Sequence, residues 1–271
     1  MKSAVTVSLV PQAKGGPFIL WDDLEKACQT ASQLGFDAIE IFPPSPEAVA
    51  VEIVKPLLER YRLSLAAVGT GGGWVAHRLH FTHANPAVRN AALDFARRIV
   101  HAAAALGAPA IVGSMQGKAE GEVSLDQARA WLAEALEDLA SIAAGYGRTL
   151  FYEPLNRYET NVFNRLEDTV RFLKMLTARN ITILADMFHM NIEEASMADA
   201  LRAAGPLIGH FHFADSNRRA IGWGHTEVAP IVQALRDIGY QGYISAEALS
   251  VPDPEAAAAQ SAASFRKYFA A

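Results

Sequence analysis

The chain of 271 residues contains a single cysteine, Cys28. An internal disulfide is therefore excluded, and the composition fits a reducing compartment. Cys28 lies in an amphipathic run and reads as a small core residue rather than a nucleophile. Long apolar runs are missing as well, none approaching the roughly 20 residues of a membrane-spanning helix. The start, Met1-Lys2-Ser3-Ala4-Val5, puts one lysine before a strand-length apolar run, too short and interrupted for a signal peptide. There is no basic excess: 24 Lys and Arg face 29 Asp and Glu, for a formal net charge of −5. That leaves no electrostatic footprint for nucleic acid or an anionic membrane. No glycine-rich dinucleotide fingerprint follows the first apolar run, where Ser8-Leu9-Val10-Pro11-Gln12-Ala13 stands instead. No charge run, low-complexity tract or linker marks a boundary. The expectation is a cytoplasmic protein with one domain over residues 1–271. At 51% hydrophobic residues, the chain has enough apolar side chains for a large core.

What is present is a rhythm. Strand-length apolar runs are predicted at Val5–Val10, Ala38–Phe42, Leu63–Val68, Ala110–Gly113, Thr149–Glu153, Ile181–Ala185, Ile208–Phe213 and Tyr243–Glu247. Between them lie helical spacings, including Leu20–Leu34, Pro86–Leu106, Leu125–Tyr146, Asp168–Leu176 and Ala229–Ile238. Gly35, Gly107, Gly147 and Gly239 each follow a helical run and precede a strand, as glycines that end helices in the left-handed conformation do. Strands apolar on both faces belong to parallel sheets covered by helices. About eight such units in this length predict an α/β fold, a single (β/α)8 TIM barrel.

Four of the later runs end on residues of metal-ligand type: Glu153, Asp186, His212 and Glu247. A carboxylate where a buried strand emerges is costly to leave unpaired, and the mouth of a parallel barrel is where active sites form. In FYEPLNRYETN, residues 151–161, Pro154 stops strand pairing, and Asn156, Arg157 and Glu159 fall on the loop above. The plainer alternative for Glu153 is a buried ion pair with Arg157. In LADMFHMNIEE, residues 184–194, Asp186 and His189 stand three apart on the loop after the sixth strand, His189 as a substrate contact or a support for a ligand. In GHFHFADSNRRAIGWGH, residues 209–225, His210 and His212 share one face, with His210 deeper. Arg218 carries a guanidinium suited to substrate oxygens, and Gly222 and Gly224 suggest a tight turn near a ligand. Because the eighth strand neighbours the first in a closed barrel, Glu247 faces Glu153 across the mouth. Opposed carboxylates are what a two-base proton transfer needs. Three carboxylates and one imidazole suit Mn2+, Mg2+ or Co2+, with Zn2+ where the pocket is tight.

The first half contributes less. Glu40 closes the second strand, Gly69-Thr70-Gly71-Gly72-Gly73 reads as a flexible mouth loop, and Gly113 to Lys118 as a substrate wall. Lys118 reads as a solvated lysine, and no role is assigned to His210 or His225.

The segments EPLNRYETN, ADMFHMNIEE and HFHFADSNRRAIGWGH, with Glu247, resemble the sugar epimerase/isomerase family typified by D-tagatose 3-epimerase, within the xylose-isomerase-like TIM-barrel superfamily. The resemblance is specific from about residue 151 onward. It implies a divalent metal, Mn2+ or Co2+, on Glu153, Asp186, His212 and Glu247. It assigns Glu153 and Glu247 as the acid/base pair and Glu159, His189 and Arg218 to the sugar. The implied reaction is C3 epimerisation of a ketose or ketose phosphate, or aldose–ketose isomerisation, through a metal-stabilised cis-enediolate. A homo-oligomer, dimer or tetramer, is compatible with the family. A lyase on the same scaffold (inosose or 3-dehydroshikimate dehydratase type) and hydroxypyruvate isomerase are the alternatives. An endonuclease IV-like site would need several more histidines and a basic surface, and neither is present.

Overall fold

The computed structural model describes residues 1–269. Eight parallel strands form the barrel: β1 Lys2–Ser8, β2 Ala38–Phe42, β3 Ser64–Gly69, β4 Ala110–Val112, β5 Leu150–Tyr152, β6 Ile181–Asp186, β7 Ile208–His212 and β8 Tyr243–Ala246. Each pairs with the next, and β8 returns to β1 with Lys2 opposite Tyr243 and Val5 opposite Ala246. All eight predicted strands are present. The first begins earlier than its apolar run, because ring closure recruits Lys2, whose N–H donates to the Gly242 carbonyl at 3.1 Å. A two-residue strand, Leu20–Trp21, adds beside the end of β1.

The outer ring includes helices Leu24–Leu34, Pro86–Ala105, Leu125–Gly145, Leu166–Met175 and Val228–Asp237, within two residues of the predicted limits except at the start of the first. That one starts four residues late because Asp23 is its N-cap, its carboxylate accepting from Lys26 N–H. Val51–Tyr61, Met197–Ala204 and Pro254–Tyr268 are further helices of the chain. Gly35, Gly107, Gly147 and Gly239 all have φ between +65° and +81°, as the repeated helix-to-strand phrase requires. No helix among the described residues is long and apolar enough to cross a membrane.

Alternation along the strands produces two cores. Side chains such as Val5, Ile39, Ile41, Tyr152, Ile183 and Phe211 belong to the large apolar core, while Ala67, Ile111, Phe151 and Leu184 form a separate small cluster. Phe151, Leu184, His210 and Ser245 each sit two residues before Glu153, Asp186, His212 and Glu247, and all eight are buried. A period of two puts each pair on one face, so the second four form a layer directly above the first, at the C-terminal end of the barrel.

Two local expectations need correction. Gly69 to Gly73 is not a flexible loop, since Gly72–His77 is a short helix. A side chain at Gly72 would collide with the Pro43 carbonyl and one at Gly73 with Met115, so these glycines serve close packing. The residues after β6 are also helical, over Met187–Glu193. Asp186 is the N-cap, and its Oδ1 accepts from the N–H groups of Phe188 at 2.6 Å and His189 at 3.2 Å.

Candidate active site and metal centre

Glu153, Asp186, His212 and Glu247 converge, with one donor atom from each lying within 4.8 Å of the others. His212 Nδ1 stands 3.4 Å from Glu247 Oε2, 3.5 Å from Asp186 Oδ2 and 3.7 Å from Glu153 Oε1. Arg157 does not neutralise Glu153. It pairs instead with Glu193, Nε to Oε1 at 2.9 Å.

Glu40 is the residue that sequence reasoning undervalued. It is the middle residue of β2 rather than its end, and its buried carboxylate accepts from His210 Nε2–H at 2.6 Å and His212 Nε2–H at 2.9 Å. His210 also stacks on Phe151, 5.1 Å between ring centres. With Nε2–H of His212 committed to Glu40, its other nitrogen, Nδ1, faces the three carboxylates and is the atom that would give its lone pair to an ion on losing its proton. Among the described residues this buried Nδ1 has no hydrogen-bond partner. Donors bound to one ion at about 2.1 Å lie about 3.0–3.4 Å apart. The donor set and its orphaned nitrogen therefore fit a divalent cation. One signal of Glu40's role was in the sequence: it is the lone charge in the apolar strand AIEIF.

His189 sits in the first turn of the Met187–Glu193 helix, its Nδ1 accepting from the Asn156 side-chain amide at 2.8 Å and backbone N–H at 3.3 Å. Asn156 is oriented by the Tyr158 N–H at 3.0 Å, so its amide nitrogen also reaches Glu159 Oε1 at 2.9 Å. These donors occupy Nδ1, so we assign the proton of His189 to Nε2, which lies 3.8 Å from Glu153 Oε1; the 3.5 Å approach of Arg218 Nη1 to Nε2 is then a contact between two donors and not a hydrogen bond. Arg218 closes the opposite side. It bonds Glu247 and lies 3.3 Å from Asp186 Oδ2, its guanidinium 4.6 Å from the Phe188 ring centre. Its φ of +58° is left-handed and is held by Arg218 N–H to the Asp215 carbonyl and Leu249 N–H to the Arg218 carbonyl. Asp215 ties down that loop through the N–H groups of Ser216, Gly222, Gly224 and Thr226 at 2.8–2.9 Å. The Gly222–Gly224 turn thus wraps a carboxylate of the chain. His225 is exposed.

The electrostatics follow from this crowding. Burial raises the Glu153 carboxyl well above the usual range; His212 opposes this, and the charges of Glu247 and Asp186 add to it. Burial also opposes ionisation of Asp186, but Arg218, His189 and His212 outweigh it and hold that carboxyl well below its ordinary value. Burial depresses His189 to about 3, so it is a neutral donor. Burial works against protonation of His212, yet Glu40 and Glu247 raise it well above an ordinary histidine. A proton and a metal ion would compete for the same nitrogen. Cys28, by contrast, is buried and pushed up to about 12 by that burial and by Glu25 and Asp23, which suits an inert core thiol.

The ends of β4 and β5 are clamped by Gln116, which donates to the Gly113 and Glu153 carbonyls at 3.0 and 2.9 Å and accepts from Tyr152 Oη–H at 2.6 Å. A Cβ at Gly113 would stand 2.5 Å from Glu153 Oε2. The displaced atom ends a side chain, so Gly113→Ala is expected to cost little stability but to move the carboxylate. A misplacement near 1 Å can cost about 100-fold in rate. A variant with unchanged Tm and kcat lowered about 100-fold is the expected result, and full activity would show that Glu153 need not occupy this position.

The family model for the xylose isomerase-like TIM barrel matches residues 28–268. The L-ribulose 3-epimerase of Methylomonas sp. (strain DH-1) is 32% identical over 253 residues, covering 89% of this chain and 86% of that protein. The D-psicose 3-epimerase of Agrobacterium fabrum is 33% identical over 243 residues, covering 87% and 79%. The crystal structure of a D-allulose 3-epimerase from Methylomonas sp. superposes with a TM-score of 0.82 at 27% identity, covering 99% of each chain.

Proposed function

The chain belongs to the xylose isomerase-like TIM-barrel family, and on that basis we propose that it is a divalent-metal-dependent ketose 3-epimerase of the cytoplasm. The observation that carries this reading is the pair Glu153 and Glu247, on β-strand ends from different parts of the ring, lining one cavity with His189 and Arg218. Glu153, Asp186, His212 and Glu247 would hold the ion. Their oxygen-rich donor set suits Mn2+ first, with Co2+, Mg2+ and Zn2+ as substitutes. When bound, the ion supplies Lewis-acid polarisation of the ketose C2 carbonyl. One glutamate takes the C3 proton, the electron pair moves to the C2 oxygen, and the other glutamate returns a proton to the opposite face, inverting C3. Arg218 places positive charge beside the enediolate oxygens, and the Nε2–H of neutral His189 donates to a substrate oxygen. Glu159, held by Asn156, is the third sugar contact.

Incubation of the Mn2+-loaded protein with a ketose panel in D2O, followed by NMR, tests the reaction class. Inversion at C3 with solvent deuterium there is expected; irreversible loss of water would mark a lyase instead. Arg218→Ala and His189→Ala test the sugar contacts. Hydrogen bonds involving charged groups contribute roughly 1.5–3 kcal/mol, so kcat/KM should fall about ten- to hundredfold. Metal content should be retained. Loss of the ion in either variant would make that residue a support of the metal site rather than a substrate contact.

A further inference from the structure

The cavity above the carboxylates has a volume of about 320 Å3 and adjoins a second cavity of about 230 Å3, with Trp74, Ser114, Leu155 and Glu159 lining both. The second is also lined by His80, Lys118, Glu120 and Tyr158. Apart from the shared Glu159, a proposed sugar contact, none of these has a part in the epimerase reading.

Their chemistry is selective. Tyr158 is 78% exposed beside the cavity, a large aromatic left in solvent. The Trp74 ring is fixed edge-on to His80 at 5.5 Å and covered on one face by Arg78, whose guanidinium lies 5.1 Å from the ring centre. Thr82 Oγ1–H donates to the Lys118 carbonyl at 3.0 Å, so His80 Nδ1–H donates to Thr82 Oγ1 at 3.2 Å and His80 Nε2 is left as an acceptor. Aromatic faces among convergent donors and acceptors suit a ring that is apolar on its faces and polar at its edge. The charge balance opposes an anion, since the ammonium of Lys118 stands against two carboxylates, Glu120 and Glu159. Even with Arg78 over Trp74 counted beside Lys118, the cavity has no excess positive charge to hold a phosphate dianion.

Building on the epimerase reading, we propose that the substrate is a non-phosphorylated ketose bearing a glycosyl substituent. Its ketose half lies over Glu153 and Glu247, and its second sugar ring fills the cavity lined by Trp74, Lys118, Glu120 and Tyr158.

The test compares kcat/KM of the Mn2+-loaded protein on D-fructose, D-fructose 6-phosphate and two glucosylated fructoses, maltulose and isomaltulose. At least one disaccharide should exceed D-fructose by about tenfold or more, the scale of one or two well-formed polar contacts, with the phosphate ester below both. Tyr158→Ala and Lys118→Ala should each remove most of that gain while leaving D-fructose within about twofold of wild type. The extended-substrate proposal falls if D-fructose is epimerised but neither disaccharide is preferred. It also falls if the phosphate ester is preferred, or if the variants leave the preference intact or lower all substrates equally. Turnover of none of the four removes the epimerase reading itself, and this proposal with it.

Discussion

Glu153→Gln and Glu247→Gln are each expected to lower turnover in both directions by about 10²–10⁴-fold, the usual contribution of a positioned acid or base. The substitution preserves volume and one oxygen, so a fall in rate with metal content retained isolates the loss of proton transfer. The proposed two-base mechanism makes a sharper claim than the rate alone. On the proposed mechanism each variant keeps one base, which would still face one side of the substrate's C3. Glu153→Gln should therefore wash solvent deuterium into one C3 epimer without converting it, and Glu247→Gln should do the same with the other epimer. Wild type should place deuterium at the inverted carbon, since different groups handle the outgoing and incoming protons. Retention of the substrate's own proton in wild-type product would indicate one shuttling base and would sink the division of labour between Glu153 and Glu247.

The parts of this site legible in the sequence are those in which local pattern and chemistry coincide. An apolar run too short for a helix, ending on a carboxylate or imidazole, marks both a strand and its exit from the core. This is why Glu153, Asp186, His212 and Glu247 could be singled out, and the structure brings them within 4.8 Å of each other. What eluded sequence reading depends on contacts across the barrel. Glu40 lies 170 residues from His210 and 172 from His212, and nothing local to β2 names its partners. The role of Gly113 appears only when Glu153 is set beside it. The glycines after β3 share their composition with a mobile loop, and the Pro43 carbonyl against Gly72 reveals them as packing residues. The Met187–Glu193 helix was concealed differently: Asp186 caps it with Oδ1 while Oδ2 faces His212, so one carboxylate ends the strand, starts the helix and lines the site. That double duty rigidifies the donor, because turning Asp186 would also uncap the helix.

Chelation is expected to abolish activity and to lower the melting temperature together. Three buried carboxylates, Glu153, Asp186 and Glu247, crowd together with His212 and Arg218 beside them, so a divalent cation bound to the folded state alone relieves their repulsion. At a free ion concentration a hundred times Kd, linkage contributes about 2.7 kcal/mol, and for a chain of this size Tm should drop by roughly 5–10 °C on chelation. Mn2+ or Co2+ should restore both readouts. Glu40→Gln extends the argument to the support of the ligand. The amide keeps one acceptor oxygen for two imidazole N–H groups, so His212 is held less firmly and metal affinity should weaken about 10–100-fold. The pH dependence has a definite sign. Glu40 and Glu247 raise the His212 pKa well above its ordinary value against the effect of burial. The proton on Nδ1 must leave before an ion can bind, so affinity should fall on acidification through that raised pKa and climb as pH rises past it. Titrations of Mn2+ into the chelated protein at several pH values, followed by calorimetry and by Tm, read all of these effects. Full activity after exhaustive chelation, with an unchanged Tm, would remove the metal from this site.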